Sequence, residues 1–330
     1  MDAEQWLDCE MWLMITYINQ KSSERKKRLL ATAFCRNISH LITKRRGQVL
    51  LKEAKRLSVW EPTDKPDCLL LALAENEKCA DGIMTADELA PISEVAQRLS
   101  SVGDHYYQCY DDSWGPKDYK VIAASGAAEA VNYATLPRVN VEFVHKSAAW
   151  AVHRAKGNDK NEVDRDEEAV QCELVRDILG NPYRPVTLKP AWLTRKMKTL
   201  AQAIYDDRTF ERMPELAHAL AEAGSSNEDI LSHCRGPGPH VRGCCVVDLL
   251  LGKALAFFVS LLIWSWSFFL TDYPPDLCGS STAGSKMLRG PRSAAFHFGG
   301  LRLLLLMTVD SMNSWNEDAT SSAAFFRPSL

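Results

Sequence analysis

Across residues 168–253 the signals that start helices, the signals that stop them and the apolar stripes between them all agree. That agreement restricts the segment to packed helices. Glu168 to Leu179 reads as a helix stopped by Gly180, and Asn181-Pro182-Tyr183-Arg184-Pro185 is an extended turn, because two prolines exclude helix there. Thr194 is placed to cap a helix carrying Met197, Leu200, Ala201, Ile204 and Tyr205 on one stripe. Pro214 suits the first turn of the next helix and Gly224 its C-terminal cap. Asn227 caps a short helix with Glu228 and Asp229 in its dipole-favoured first turn. Gly236-Pro237-Gly238-Pro239 then breaks the chain, and His240 to Gly252 reads as a last helix.

The rest of the chain follows the same period. Asp2 caps a first helix with Trp6, Leu7, Met14 and Ile18 near one face, and Ser22 or Ser23 a second with Leu29, Leu30, Ala33, Phe34, Ile38, Leu41 and Ile42. Cys68 to Cys79 reads as a third, ending at Asp81-Gly82, and Thr85 with Glu88 forms a capping box for a fourth. Tyr106, Tyr107, Tyr110 and Trp114 form an aromatic cluster, and the Ala-rich patches at 122–134 and 148–155 predict closely packed helices. Only Arg138 to Val144 alternates with a strand's period of two. The expected fold is all-α, in four regions. These are a basic helical region (1–103), an Ala-rich helical segment with a solvated linker (104–167), a compact, independently ordered helical unit (168–253), and an atypical tail (254–330).

Charge and cysteine usage narrow the setting. Residues 21–56 hold 12 Lys or Arg against only Glu24 and Glu53, which predicts either solvated basic helix faces or a surface for nucleic acid or anionic membrane. No aromatic platform interleaves with these charges, as single-strand stacking would require. The opening MDAEQWLDCEMW lacks the basic start and long apolar core of a signal peptide, so the ten cysteines are expected to be reduced thiols in the cytoplasm. The 77 residues of the tail hold only 10 charges, whereas the preceding 253 hold 71. Its run ALAFFVSLLIWSWSFFL (254–270) is 17 uncharged residues, at the lower edge for a membrane span. Arg235, Arg242 and Lys253 precede it, which predicts a facultative anchor with the N-terminal bulk in the cytoplasm and disorder over 271–330.

Three segments, QCELVRDILGNPYRPVTLKPAWLT (171–194), LAQAIYDDRTFERMPELAHALAEAG (200–224) and DILSHCRGPGPHVRGCCVVDLLLGK (229–253), closely resemble a paralogue-rich family of uncharacterised planctomycete bacterial proteins. EQWLDCEM, SERKKRLLATAFCRNISHLIT and ADGIMTADEL resemble that family's opening more loosely. The resemblance implies no reaction, cofactor or catalytic residue. It implies that the folded unit is complete near Gly252-Lys253, with the tail as an appended or run-on segment.

His233, Cys234, His240 and Cys244 have the ligand types that zinc takes in a tetrahedron, with His240 and Cys244 sharing a helical face at i, i+4. Against them stand the irregular spacing, the absence of a CxxC pair, and Arg235 and Arg242 on the flanks, so a hydrogen-bonded turn with no bound cofactor is the expectation. Cys244, His240 and Asp248 on one straight helix could not surround a substrate as a nucleophilic site must. Counting back from Glu88 as position 12 of a calcium loop puts Glu77 at position 1 and a thiol, Cys79, at position 3, which a hard cation disfavours; the segment is a helix start. Walker, GxGxxG, GxSxG and HExxH motifs are absent. The reading that results is a non-enzymatic helical interaction module with a protein partner. The alternatives are a nucleic-acid or anionic-membrane binder through 21–56, and a zinc protein through 233–244.

Overall fold

Short polar side chains start most of the helices by taking backbone N–H groups that a first turn leaves without partners. The computed structural model describes residues 2–58, 65–109, 118–158 and 162–253, together with the backbone of 294–298 and 301–305. Asp2 and Gln5 form a capping box on α1 (Ala3–Asp8), and α2 (Met11–Lys21) follows after a break at Cys9, where one continuous helix had been expected. Ser23 caps α3 (Glu24–Asn37) and Thr43 caps α4 (Lys44–Arg56). Next come α5 (Cys68–Ala80) and α6 (Ala86–Cys109), the latter opened by the Thr85–Glu88 box with a 2.8 Å bond from Thr85 N–H to Glu88 Oε2. Asp118 caps α7 (Tyr119–Thr135), Asn140 caps α8 (Val141–Ala155) and Asp164 caps α9 (Arg165–Leu179). The alternation at 138–144 is therefore no strand. Asn140 accepts from Phe143 N–H and winds the run into α8.

Thr194 caps α10 (Arg195–Asp207), Pro214 sits in the first turn of α11 (Met213–Glu222), and Asn227 caps α12 (Glu228–Arg235), all as expected. The last helix, α13 (Cys245–Leu250), is much shorter than the expected 240–252. Gly243 accounts for the difference. Its φ of +99° is left-handed, and a Cβ there would lie 2.9 Å from Leu29 Cδ1, so the chain turns against α3 before it can coil. The described residues of 2–253 are all-α.

Two apolar cores lie within one compact unit that holds all the described residues up to 253. The first surrounds α3, whose Leu30, Ala31, Phe34 and Cys35 are buried where α3 packs on α5, α7, α8 and α9. The predicted close packing at α7 rests on small residues. Ala123, Ala124, Ala127 and Ala128 are buried, and Gly126 lies so near Trp150 that a Cβ would sit 2.6 Å from its ring. The second core is the amphipathic set Trp192, Met197, Ile204, Tyr205, Leu216, Leu220, Ile230 and Val247. Helix α9 gives Leu174, Val175 and Ile178 to the first core, so the expected self-contained unit over 168–253 is divided between the two.

Residues 268–330 are a separate unit whose described part is an antiparallel pair, β1 (Ala294–Phe298) and β2 (Leu301–Leu305), with Phe298 opposite Leu301. The two-residue Gly-Gly connection favours a hairpin. The run at 254–270 and most of the aromatic cluster at 106–114 lie outside the described residues. Among the described residues, no helix is long and apolar enough to cross a membrane.

Candidate metal centre

Four side chains from three parts of the fold converge where α9 ends. Asp177 stands in the last turn of α9, His233 on α12, and His240 and Cys244 in the Gly-Pro-rich connection that Gly243 turns back onto α3. One potential ligand atom from each lies within 4.8 Å of all the others. His233 Nε2 is 3.1 Å from Cys244 Sγ and 3.2 Å from Asp177 Oδ1, and His240 Nδ1 is 2.8 Å from that same oxygen. The second carboxylate oxygen accepts from Val241 N–H at 3.0 Å, which fixes the Asp177 rotamer. Cys244 is fully buried, Asp177 nearly so, and His233 opens toward a cleft of about 610 Å³.

Three of the four residues singled out by type, His233, His240 and Cys244, therefore meet. Cys234 does not. Consecutive helix positions point about 100° apart, and Cys234 faces the second core while His233 faces α9. Its place is taken by Asp177, 63 residues before His240 in the chain. One signal for Asp177 was available: an acidic side chain beside Leu174, Val175 and Ile178 on the buried face of α9.

The site's electrostatics are those of a carboxylate held between two rings. Burial alone would raise Asp177, but hydrogen bonds from His233 and then His240 hold it below its ordinary value. Burial alone would lower both histidines. The bond to Asp177, followed by the one to Cys244, outweighs it and pushes His233 up to about 10 and His240 up to about 9. Burial, reinforced by Cys245 and Asp177, keeps the Cys244 thiol protonated well above its usual range. A thiol so held is a poor nucleophile. Asp248 is no partner to it either, because its carboxylate is taken by Arg25 at 2.6 and 3.0 Å and by Lys26 at 2.6 Å.

Those contacts belong to a second polar cluster beside the first. Glu77 receives Arg36 at 2.7 Å, both nitrogens of the Arg208 fork, and Arg242 at 3.5 Å. Asp81 receives the Tyr205 hydroxyl at 2.6 Å, Arg242 at 2.9 Å, Lys253 at 3.3 Å and Arg25 at 3.4 Å. Glu77 and Asp81 are thus committed to cations of the chain itself, which removes them from a calcium loop. The basic run at 21–56 is likewise only partly a solvated face. Arg25, Lys26 and Arg36 turn inward to these acids, and Arg28 bonds Asn76 at 2.9 Å and the Pro137 carbonyl at 2.6 Å. Arg242 meets Glu77 and Asp81, and Arg235 meets Glu228, so neither expected flanking charge is aimed at the His–Cys group.

Comparison with family models, with curated proteins and with solved structures finds no match to the chain.

Proposed function

We propose that this chain is a zinc-binding helical protein in which the metal clips the second core onto the end of α9. The observation that carries the reading is the convergence of Asp177, His233, His240 and Cys244 within 4.8 Å. A thiolate with two imidazoles and one carboxylate suits zinc and disfavours calcium or magnesium, which take oxygen ligands. Carboxylate and thiolate together neutralise the dication. Four protein ligands close the coordination shell, which assigns the metal a structural task rather than the activation of water. Binding must displace protons from the ring nitrogens and the thiol, so affinity rises with pH.

The test is elemental analysis of the full chain purified without chelator. The expected result is about one zinc per chain, lost in His233→Ala and Asp177→Ala. A metal-free protein whose melting temperature does not change on adding zinc overturns the reading.

A second reading is an interaction module for a partner with an apolar segment. It is favoured by Leu7 and Trp12, 57% and 62% exposed on α1 and α2. Leu7 also lines the 610 Å³ cleft with Trp6, Pro182 and Val186. Loss of partner capture in Trp12→Ser tests it.

A further inference from the structure

His240 has two faces. Its Nδ1 is committed to Asp177, but Nε2 is buried with no partner among the described residues, and the side chain is only 8% exposed. A buried ring nitrogen left dry and unpaired is destabilising, so its surroundings call for an explanation. The ring borders a cavity of about 150 Å³, walled by Arg36, Arg208, Arg242 and Glu77 and floored by apolar Leu29 and Phe210. This cavity goes beyond the metal reading.

Three arginines border this mostly apolar cavity against a single carboxylate. Arg242 also reaches Asp81, but Asp81 is shared with Arg25 and Lys253. The cavity wall therefore carries a surplus of two positive charges among the described residues. Arg242 Nε is a second buried donor without a partner. The groups repel one another: burial and then Arg36 and Arg242 pull Arg208 down to about 10. Guanidinium forks are the side chains best shaped to receive a tetrahedral oxyanion. The volume fits as well. At roughly 30 Å³ per water the space holds about five waters, well under the roughly 300–1,000 Å³ of organic ligand sites.

We propose that this cavity binds a tetrahedral oxyanion of the phosphate class, held by Arg36, Arg208 and Arg242 with His240 Nε2 as an additional donor. The anion removes the surplus charge and gives the two unpaired donors acceptors.

The experiment is calorimetric titration of the full chain with inorganic phosphate, alongside melting curves in phosphate and in chloride at matched ionic strength. Matching the ionic strength removes screening as an explanation. Phosphate is expected to bind at one site per chain and to raise the melting temperature by several degrees over chloride. Arg36→Gln and Arg208→Gln each weaken binding at least tenfold, whereas Arg45→Gln, on the exposed face of α4, leaves it unchanged. A parallel titration with phenyl phosphate separates the sources. Binding of phosphate alone identifies the free ion, and binding of both identifies a phosphomonoester group with its remainder outside; either supports the oxyanion site. No heat and no melting shift with wild-type protein overturns it, a result that does not depend on the variants folding. Equal binding by wild type and both glutamine variants overturns it too. Zinc content plays no part in these readouts.

Discussion

Replacing Asp248 with alanine tests whether buried ion pairs join the N-terminal helices to the last one. Asp248 is fully buried and holds Arg25 through two bonds and Lys26 through a third. Removing one partner of a buried pair costs about 3–5 kcal/mol, because the other charge is stranded away from water. Here the stranding is incomplete. Lys26 keeps the carbonyls of Ile178 at 2.8 Å and Gly243 at 2.7 Å, and Arg25 keeps Asp81 at 3.4 Å. The expected loss is therefore at the lower end, about 3 kcal/mol. Urea unfolding of the full chain at neutral pH measures it, and a double-mutant cycle with Arg25→Ala should return a coupling of about 1–3 kcal/mol. Acid supplies an independent check. Burial would raise Asp248, but Lys26 and Arg25 hold it below its ordinary value. Its contribution is thus complete above the unfolded value of about 3.9 and disappears as pH falls through the lower folded value, so the gap between wild type and variant must close in acid. A loss under about 1 kcal/mol, or strict additivity with Arg25→Ala, refutes the reasoning.

Gly243→Ala combines a left-handed φ with a 2.9 Å approach to Leu29 and is expected to cost about 1–3 kcal/mol. A melting temperature equal to wild type would mean that the loop relaxes freely. Chelator-treated protein should lose stability in alkali. His233 and His240, raised to about 10 and 9, contribute fully below the unfolded value of about 6.5 and lose that contribution progressively as pH rises from there through 9 to 10. The urea midpoint should fall over that range, and Asp177→Asn should flatten the decline; an unchanged slope in the variant defeats the assignment.

What was legible in the sequence was short-range. Thr194, Asn227, Asp2 and Pro214 act on backbone groups within a few residues, so their neighbours suffice to read them, and the all-α fold follows from many such signals in series. The site was only half legible for the complementary reason. Residue type flagged His233, His240 and Cys244, but spacing suggested Cys234 and a helix from 240. The geometry is decided instead by Gly243 packing on Leu29, more than two hundred positions earlier, and by Asp177 on another helix. The basic run was misjudged in the same way. Nothing near Arg25 in sequence announces Asp248, and charge counts do not reveal whether a partner waits at a distance.

That distance has a consequence for how the chain is made. Arg25 and Asp248 are 223 residues apart, and Lys26 and the Gly243 carbonyl that it also bonds are 217 apart. At about 5–20 residues per second, roughly 11–45 seconds of synthesis separate the two residues. Throughout that interval the first helices can pack their apolar faces, while Arg25 has only the longer contact to Asp81 and Lys26 still lacks the carboxylate of Asp248. The growing protein is therefore more basic at its surface than the finished one.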